Sequence, residues 1–188
     1  MAVNAITPFS VVYDLFLSKT TDDMYMELTE LDTYRLLEEL LLSAIPKFEF
    51  PRQLLDYELE EFEDEVIYNG VESDHKDVVA RIYTYGHFNC ILTHEEANIL
   101  ATYMVVEWLG QQLASVENTR MKYTGSDFKM SSQANHMSKL LSLKKDYDRE
   151  GFHLQRLYKR RATNKEGRIV STLDIIMAPL NGGAWDDN

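Results

Sequence analysis

The segment that opens at Thr93 leaves the chain little choice of fold. Thr93-His94-Glu95-Glu96 has the form of a capping box, in which a hydroxyl accepts from an amide three residues on and a carboxylate reaches back. Behind it Ala97, Leu100, Ala101, Met104, Trp108, Leu109 and Leu113 keep a 3.6-residue period, predicting a helix to about Glu117. Such a stripe must be buried against something, and Trp108, in its middle, is expected in the core. The rest of the chain is therefore read for what can cover it.

Three further segments have helical spacing. Pro8 to Lys19 reads as a short helix with Pro8 in its first turn and Val12, Leu15 and Phe16 on one side. Thr29 or Asp32 can cap a second helix to about Ala44, with Tyr34, Leu37, Leu40, Leu41 and Ala44 as its stripe and Pro46 as its stop. After a connector from Arg120 to Met130 containing Gly125, Ser131 or Ser132 caps a long last helix to about Arg161. Its apolar positions are Met137, Leu140, Leu141, Tyr147, Leu154 and Tyr158, and Gly151 is a weak point near the middle.

The chain between the second and third helices differs. Leu55, Tyr57 and Leu59 alternate with Asp56, Glu58 and Glu60, the period of a half-exposed strand. The parity then switches at Glu60-Glu61, as a bulge would make it do, before Phe62, Val66 and Tyr68. Asn69-Gly70 is a tight-turn pair, and Val78-Val79, Ile82, Tyr83 and Tyr85 form a second β-prone run that Gly86 should break. Phe88 to Leu92 is a candidate third. The expected fold is mainly α: a bundle of about four helices with a long C-terminal helix, an inserted β-hairpin over about 55–92, and an extended C-terminal tail. One helical domain covers 1–161 and an extended arm covers 162–188. In that arm Asn164 to Gly167 looks like a turn, Ile169 to Met177 is β-prone, and the residues from Asn181 onward are tail-like around Trp185.

Charge divides the molecule. The formal net charge is −12, yet residues 22–107 carry 21 acids and 5 bases while residues 139–168 carry 10 bases and 4 acids. A chain with a negative and a positive region has an electrostatic direction by which copies or partners can be ordered. The negative pole peaks at Asp56, Glu58, Glu60, Glu61, Glu63, Asp64 and Glu65, seven acids in ten positions with no base among them. A solvated edge strand guarded by charge accounts for this run, and so does a wall that repels passing nucleic acid. The positive pole is the end of the last helix, Arg156, Lys159, Arg160 and Arg161, with Tyr158 on the same segment. Cations there complement the helix dipole, and attraction to the acidic face of a neighbouring copy or partner is the preferred reading.

Motifs for chemistry are absent from the sequence. There is no GxSxG elbow, GxxxxGK[ST] loop or GxGxxG turn. His87, Cys90 and His94 form the one local His/Cys group, too few ligands for a closed zinc shell. Cys90, the single cysteine, rules out an intramolecular disulfide and is expected to be buried and inert. No catalytic residue, cofactor or metal ligand is assigned. No apolar run approaches the length of roughly 18 residues that a membrane span needs, and the first residues lack a basic secretory n-region. A soluble intracellular or particle-associated protein is expected.

Several phrases of the chain have a familiar order: Asp22-Asp23-Met24-Tyr25, Phe48-Glu49-Phe50-Pro51, Glu107-Trp108-Leu109, Met121 to Lys129 (MKYTGSDFK), Ser131 to His136 (SSQANH), and Leu154 to Arg161 (LQRLYKRR). Over roughly residues 8–161 they resemble the small neck proteins of tailed bacteriophages, in particular the head–tail connector, or adaptor, beneath the portal. The resemblance implies a structural virion protein of the neck, assembled in the host cytoplasm, that forms a ring of commonly twelve copies. The portal lies above such a ring and a tail or stopper protein below, and DNA passes through without sequence-specific binding. On this reading the acidic strand residues face the channel or rim, and the basic helix end makes contacts between subunits. Ile169, Ile175, Ile176 and Trp185 belong to an arm that docks on the portal. Two other classes stay open: an acidic adaptor or regulatory module binding its partner as a monomer or dimer, and a small enzyme whose carboxylates hold metal.

Overall fold

The computed structural model describes residues 6–20, 28–66, 79–122, 130–163 and 169–171. Its centre is the helix begun by the capping box, and the box forms as its residues require. The Glu96 carboxylate accepts from the Thr93 amide at 2.8 Å, and the Thr93 hydroxyl accepts from the Glu96 amide at 3.3 Å.

In chain order, β1 (Thr7–Pro8) leads into α1 (Ser10–Lys19), followed by α2 (Glu30–Ala44) and a short 3-10 turn (Ile45–Lys47). The strands β2 (Tyr57–Val66) and β3 (Val79–Phe88) come next, then α3 (His94–Lys122) and α4 (Met130–Arg160). Two three-residue strands, β4 (Arg161–Thr163) and β5 (Ile169–Ser171), pair antiparallel after the last helix. The described chain is mainly helical with a small antiparallel sheet in the order β1-β3-β2. Thr29 caps α2, its hydroxyl accepting from the Asp32 amide at 3.2 Å.

The core forms where α1 and α2 close over α3. Val12, Phe16, Leu37, Leu40, Leu41 and Ala44 meet Leu100, Ala101, Met104 and Leu109. Residues 96–106 of α3 are buried on nearly every side, including Ile99, Tyr103, Val105 and Val106, so a one-stripe description of this helix is too narrow. The physical reason is that α1 and α2 cover one side and α4 another. Trp108 lies at the margin of this core, half-buried, with its indole N–H enclosed and unpaired among the described residues.

Helix α4 runs antiparallel to α3, and three contacts step along the pair at intervals of seven residues. Glu96 meets Tyr158, Tyr103 lies on Gly151, and Gly110 faces Lys144. This is the spacing of near-parallel helices in ridge-and-groove contact. Gly151 is thus a packing position and not a weak one: a Cβ there would lie 2.8 Å from Cζ of Tyr103, and the helix continues unbroken through it. Leu140, Tyr147 and Leu154 flank the same seam, whereas Leu141 points outward.

Four sequence expectations about the β region and its surroundings need correction. Pro8 is not in the first turn of α1; it lies in β1, at the edge of the sheet, where the missing N–H costs no ladder bond. Strand β3 does not break at Gly86, because the Phe9 ring occupies the place of a Cβ, 2.2 Å from where it would stand. The strand therefore needs a glycine there, and it ends at Phe88, so 88–92 is not a strand of its own. The β2–β3 ladder is paired one-for-one from Tyr57 opposite Phe88 to Val66 opposite Val79, with no bulge at Glu60-Glu61. Leu59 and Tyr85 are 41% and 53% exposed and Glu58 and Glu60 are also exposed, so no buried face enforces one parity there. The Asn69-Gly70 turn, the Gly125 connector and the Asn164–Gly167 turn lie outside the described residues. Among the described residues no helix is long and apolar enough to cross a membrane.

Candidate interaction surfaces

The segment after the 3-10 turn is held along the last turns of α4 by two side chains of the inner stripe. Gln155 is buried; its amide donates to the Lys47 carbonyl at 2.9 Å and to the Tyr103 hydroxyl, while its Oε1 accepts from the Glu49 amide at 2.8 Å. One turn on, the wholly buried Tyr158 donates its hydroxyl to Glu96 and accepts from the Arg52 amide at 3.2 Å. Burial, and then the bond to the Glu96 carboxylate, push the Tyr158 phenol well above the ordinary tyrosine range. The Arg52 guanidinium lies 4.1 Å from the Tyr158 ring centroid and donates to the carbonyls of Tyr158 and Arg161. Arg161 closes the end with an ion pair to Glu95 at 2.9 Å.

This clamp leaves an open groove between residues 46–50 and one face of α4. Its distal part, about 550 Å³, is lined by Glu49, Phe50, Phe152, Arg156, Lys159 and Arg160. Lys159 Nζ stands 3.9 Å from the Phe50 ring centroid and the Arg156 guanidinium 5.8 Å from that of Phe152. A second cleft of about 680 Å³ shares Glu49 and Phe152 and continues past Lys145, Asp148 and Arg149. Lys145, Arg149, Phe152, Arg156 and Lys159 follow one another at steps of four and three residues, so they share one helix face over about 21 Å. That face is basic and aromatic, with Glu49 and Asp148 as its acidic members. Lys47 pairs with Glu107 at its edge, and Arg149 with Asp146 at 3.2 Å in solvent.

The opposite pole is the β2–β3 ribbon. Ten residue pairs at the usual strand rise extend about 34 Å. Its base is anchored: the Phe9 ring packs at 5.9 Å from Tyr57 and 4.8 Å from Phe88, and the Asn89 amide donates to the Asp56 carbonyl at 2.9 Å. Asp56, Glu58 and Glu60 are exposed, Glu58 accepting from the Asn89 side chain at 2.9 Å. Glu60 stands opposite Tyr85 in the ladder, so an acid and an exposed aromatic share that face. Glu61, Glu63, Asp64 and Glu65 continue β2 opposite Thr84, Ile82, Arg81 and Ala80.

Six of the seven acidic residues expected at a channel or rim thus lie on β2, with Asp56 directly before it, and Arg156, Lys159 and Arg160 share one groove. Tyr158 does not join them: it is spent within the subunit, because its hydroxyl is the partner of a buried carboxylate, and this corrects its assignment to a subunit contact. Arg161 is committed to Glu95, although it remains partly exposed. Ile169 lies in β5 opposite Thr163, while Ile175, Ile176 and Trp185 fall outside the described residues. Cys90 is half-buried and not fully enclosed; burial and then the nearby Glu96 and Asp56 raise its thiol pKa. Sequence reasoning missed Lys145, Arg149, Phe152 and Phe50 as members of the groove. The four-three spacing was present as a signal, but Phe50 is brought in only by tertiary contact. Among the described residues no three His, Cys, Asp or Glu side chains gather as a metal site. No family model, curated protein or solved structure matches the chain.

Proposed function

We propose that this protein is a structural subunit of a tailed-phage neck, a head–tail connector that assembles as a ring between the portal and the tail or stopper proteins. The observation that carries the reading is the ribbon: a long acidic two-stranded arm, anchored at its base, with Tyr57, Leu59 and Tyr85 each about half exposed near that base, on a subunit whose other pole is basic. An isolated two-stranded arm gains little stability by itself, so neighbours are what make it worth projecting. Contacts between unlike poles are heterologous, and heterologous contacts close into rings when the rotation permits. The resemblance of the segment order to phage connectors is what points to a neck ring, and the net charge of −12 suits a wall past which DNA slides without sticking.

The test is assembly with a portal protein. Light scattering and negative-stain images are expected to show a ring on the portal. A particle that stays monomeric both alone and with portal overturns the reading and leaves the acidic adaptor module in its place.

A further inference from the structure

The basic groove and the acidic ribbon are complementary in charge, and both carry aromatic area. Along the groove Lys145–Arg149 and Arg156–Lys159 form two pairs on one helix face, each pair about 5–6 Å apart and the pairs separated by Phe152. Along the ribbon Asp56, Glu58 and Glu60 alternate with a period of two, about 6.8 Å apart. Each surface also carries exposed aromatic area: Phe50 and Phe152, 37% and 49% exposed, in the groove, and on the ribbon, beside Glu60, Tyr85, which packs against Tyr34 on one side and keeps 53% of its surface exposed. The ribbon's main contacts within its own subunit are with β1 and α2, at its base, while the groove lies on α4. Glu49 borders both halves of the groove, but Asp148 lies only in the Lys145–Arg149 half, and that second carboxylate favours the Arg156–Lys159 half for an incoming acid.

We infer that the groove between residues 46–50 and α4 receives the acidic β2–β3 ribbon of a second copy of this chain, with Glu58 and Glu60 against Arg156 and Lys159 and Tyr85 against the Phe50–Phe152 pair. This inference rests on the ring reading above and specifies which two surfaces make its repeating contact. The contact is head-to-tail: each subunit gives its ribbon to one neighbour and its groove to the other. Because the paired charges are exposed before docking, the association weakens as salt rises.

Charge exchange tests it with full-length protein. The groove variant Arg156→Glu/Lys159→Glu and the ribbon variant Glu58→Lys/Glu60→Lys should each weaken self-association roughly tenfold or more in sedimentation velocity at low salt. Mixed in equal amounts they should recover it, since each reversed groove then meets a reversed ribbon and each native groove a native ribbon. Circular dichroism and thermal melting check that both variants fold, and the neutral pair Arg156→Gln/Lys159→Gln should give an intermediate loss. Self-association that survives both reversals, or that mixing fails to restore, overturns the docking while leaving the ring on the portal to stand on its own assay. A wild-type chain that is monomeric at every concentration also overturns the self-contact. Loss of duplex-DNA binding in the groove variant, with self-association unchanged, would make the groove a phosphate contact and overturn it as well.

Discussion

Helix α3 and the β2–β3 ribbon are neighbours in sequence and opposites in environment. The helix is buried over residues 96–106 by elements on several sides, so every side chain there has a packing role. The ribbon is held at its base by Phe9, Asn89 and the β1 pairing, Tyr85 packs 6.3 Å from Tyr34 of α2, and Glu58, Leu59 and Glu60 are exposed. The difference shows where this protein keeps its stability and where it keeps its freedom to meet others. Substitutions in the helix should unfold the subunit, and substitutions in the ribbon should leave it folded while changing what it binds.

The largest effect should come from the helix. Leu100→Ala removes a wholly buried side chain and is expected to cost about 2–5 kcal/mol in denaturant unfolding. A cost near zero would mean that α3 is not the centre of the core. The α3–α4 seam comes next. Gly151→Ala should destabilise by about 1–3 kcal/mol, because the new Cβ meets the Tyr103 ring at 2.8 Å, although alanine favours a helix by about 1 kcal/mol. Gly110→Ala on the same seam should be neutral or stabilising, since its nearest neighbour is the flexible tip of Lys144. Equal effects of the two would break the account of how the helices approach.

Thr93→Ala should cost about 1 kcal/mol by removing the cap, and amide exchange should quicken first at the N-terminal turn of α3. Smaller still is a dependence on alkaline pH. Burial, followed by Glu38 and Tyr34, raises the Tyr13 phenol above its ordinary value of 10.0, and Tyr158 is raised by burial and its bond to Glu96. The folded chain then holds protons that the unfolded chain gives up. The stability these groups contribute is complete below about pH 10 and is lost as the pH rises above it. Tyr13→Phe should flatten that loss in thermal melts, and an unchanged slope would remove Tyr13 as a contributor. At the small end, Leu59→Ala in the ribbon should change subunit stability by less than about 0.5 kcal/mol. A loss comparable to that of Leu100→Ala would erase the contrast between the two regions.

Much of the fold was legible because local rules and burial agree in the helices. The capping box at Thr93, the Thr29 cap and the apolar periods of α1, α2 and α4 all name elements that the structure contains. The misreadings fall where local rules meet a distant partner. Gly86 reads as a strand breaker until Phe9, far away in sequence, takes the space above it. Gly151 reads as a helix weakness until Tyr103 rests on it. The parity switch at Glu60-Glu61 reads as a bulge when alternation follows a buried face, but the buried patch under Phe9 ends at the base and Glu58, Leu59, Glu60 and Tyr85 are all exposed. For the candidate surfaces, the acids of the ribbon and the cations of α4 were visible as charge. The groove was not, since Phe50 joins it only through the Gln155 and Tyr158 hydrogen bonds that hold residues 47–52 against the helix.

By itself the sequence determined the helical character of this protein, the start of its central helix and the separation of its charge into two poles. Those properties depend on residues within a turn or two of one another, or on simple sums of charge. Tertiary structure decided which helix is surrounded, which glycines are contacts, and that Tyr158 is a core residue while its neighbours Arg156 and Lys159 line a groove. Adjacent residues on a helix point about 100° apart, and only the position of the next element says which of them it covers.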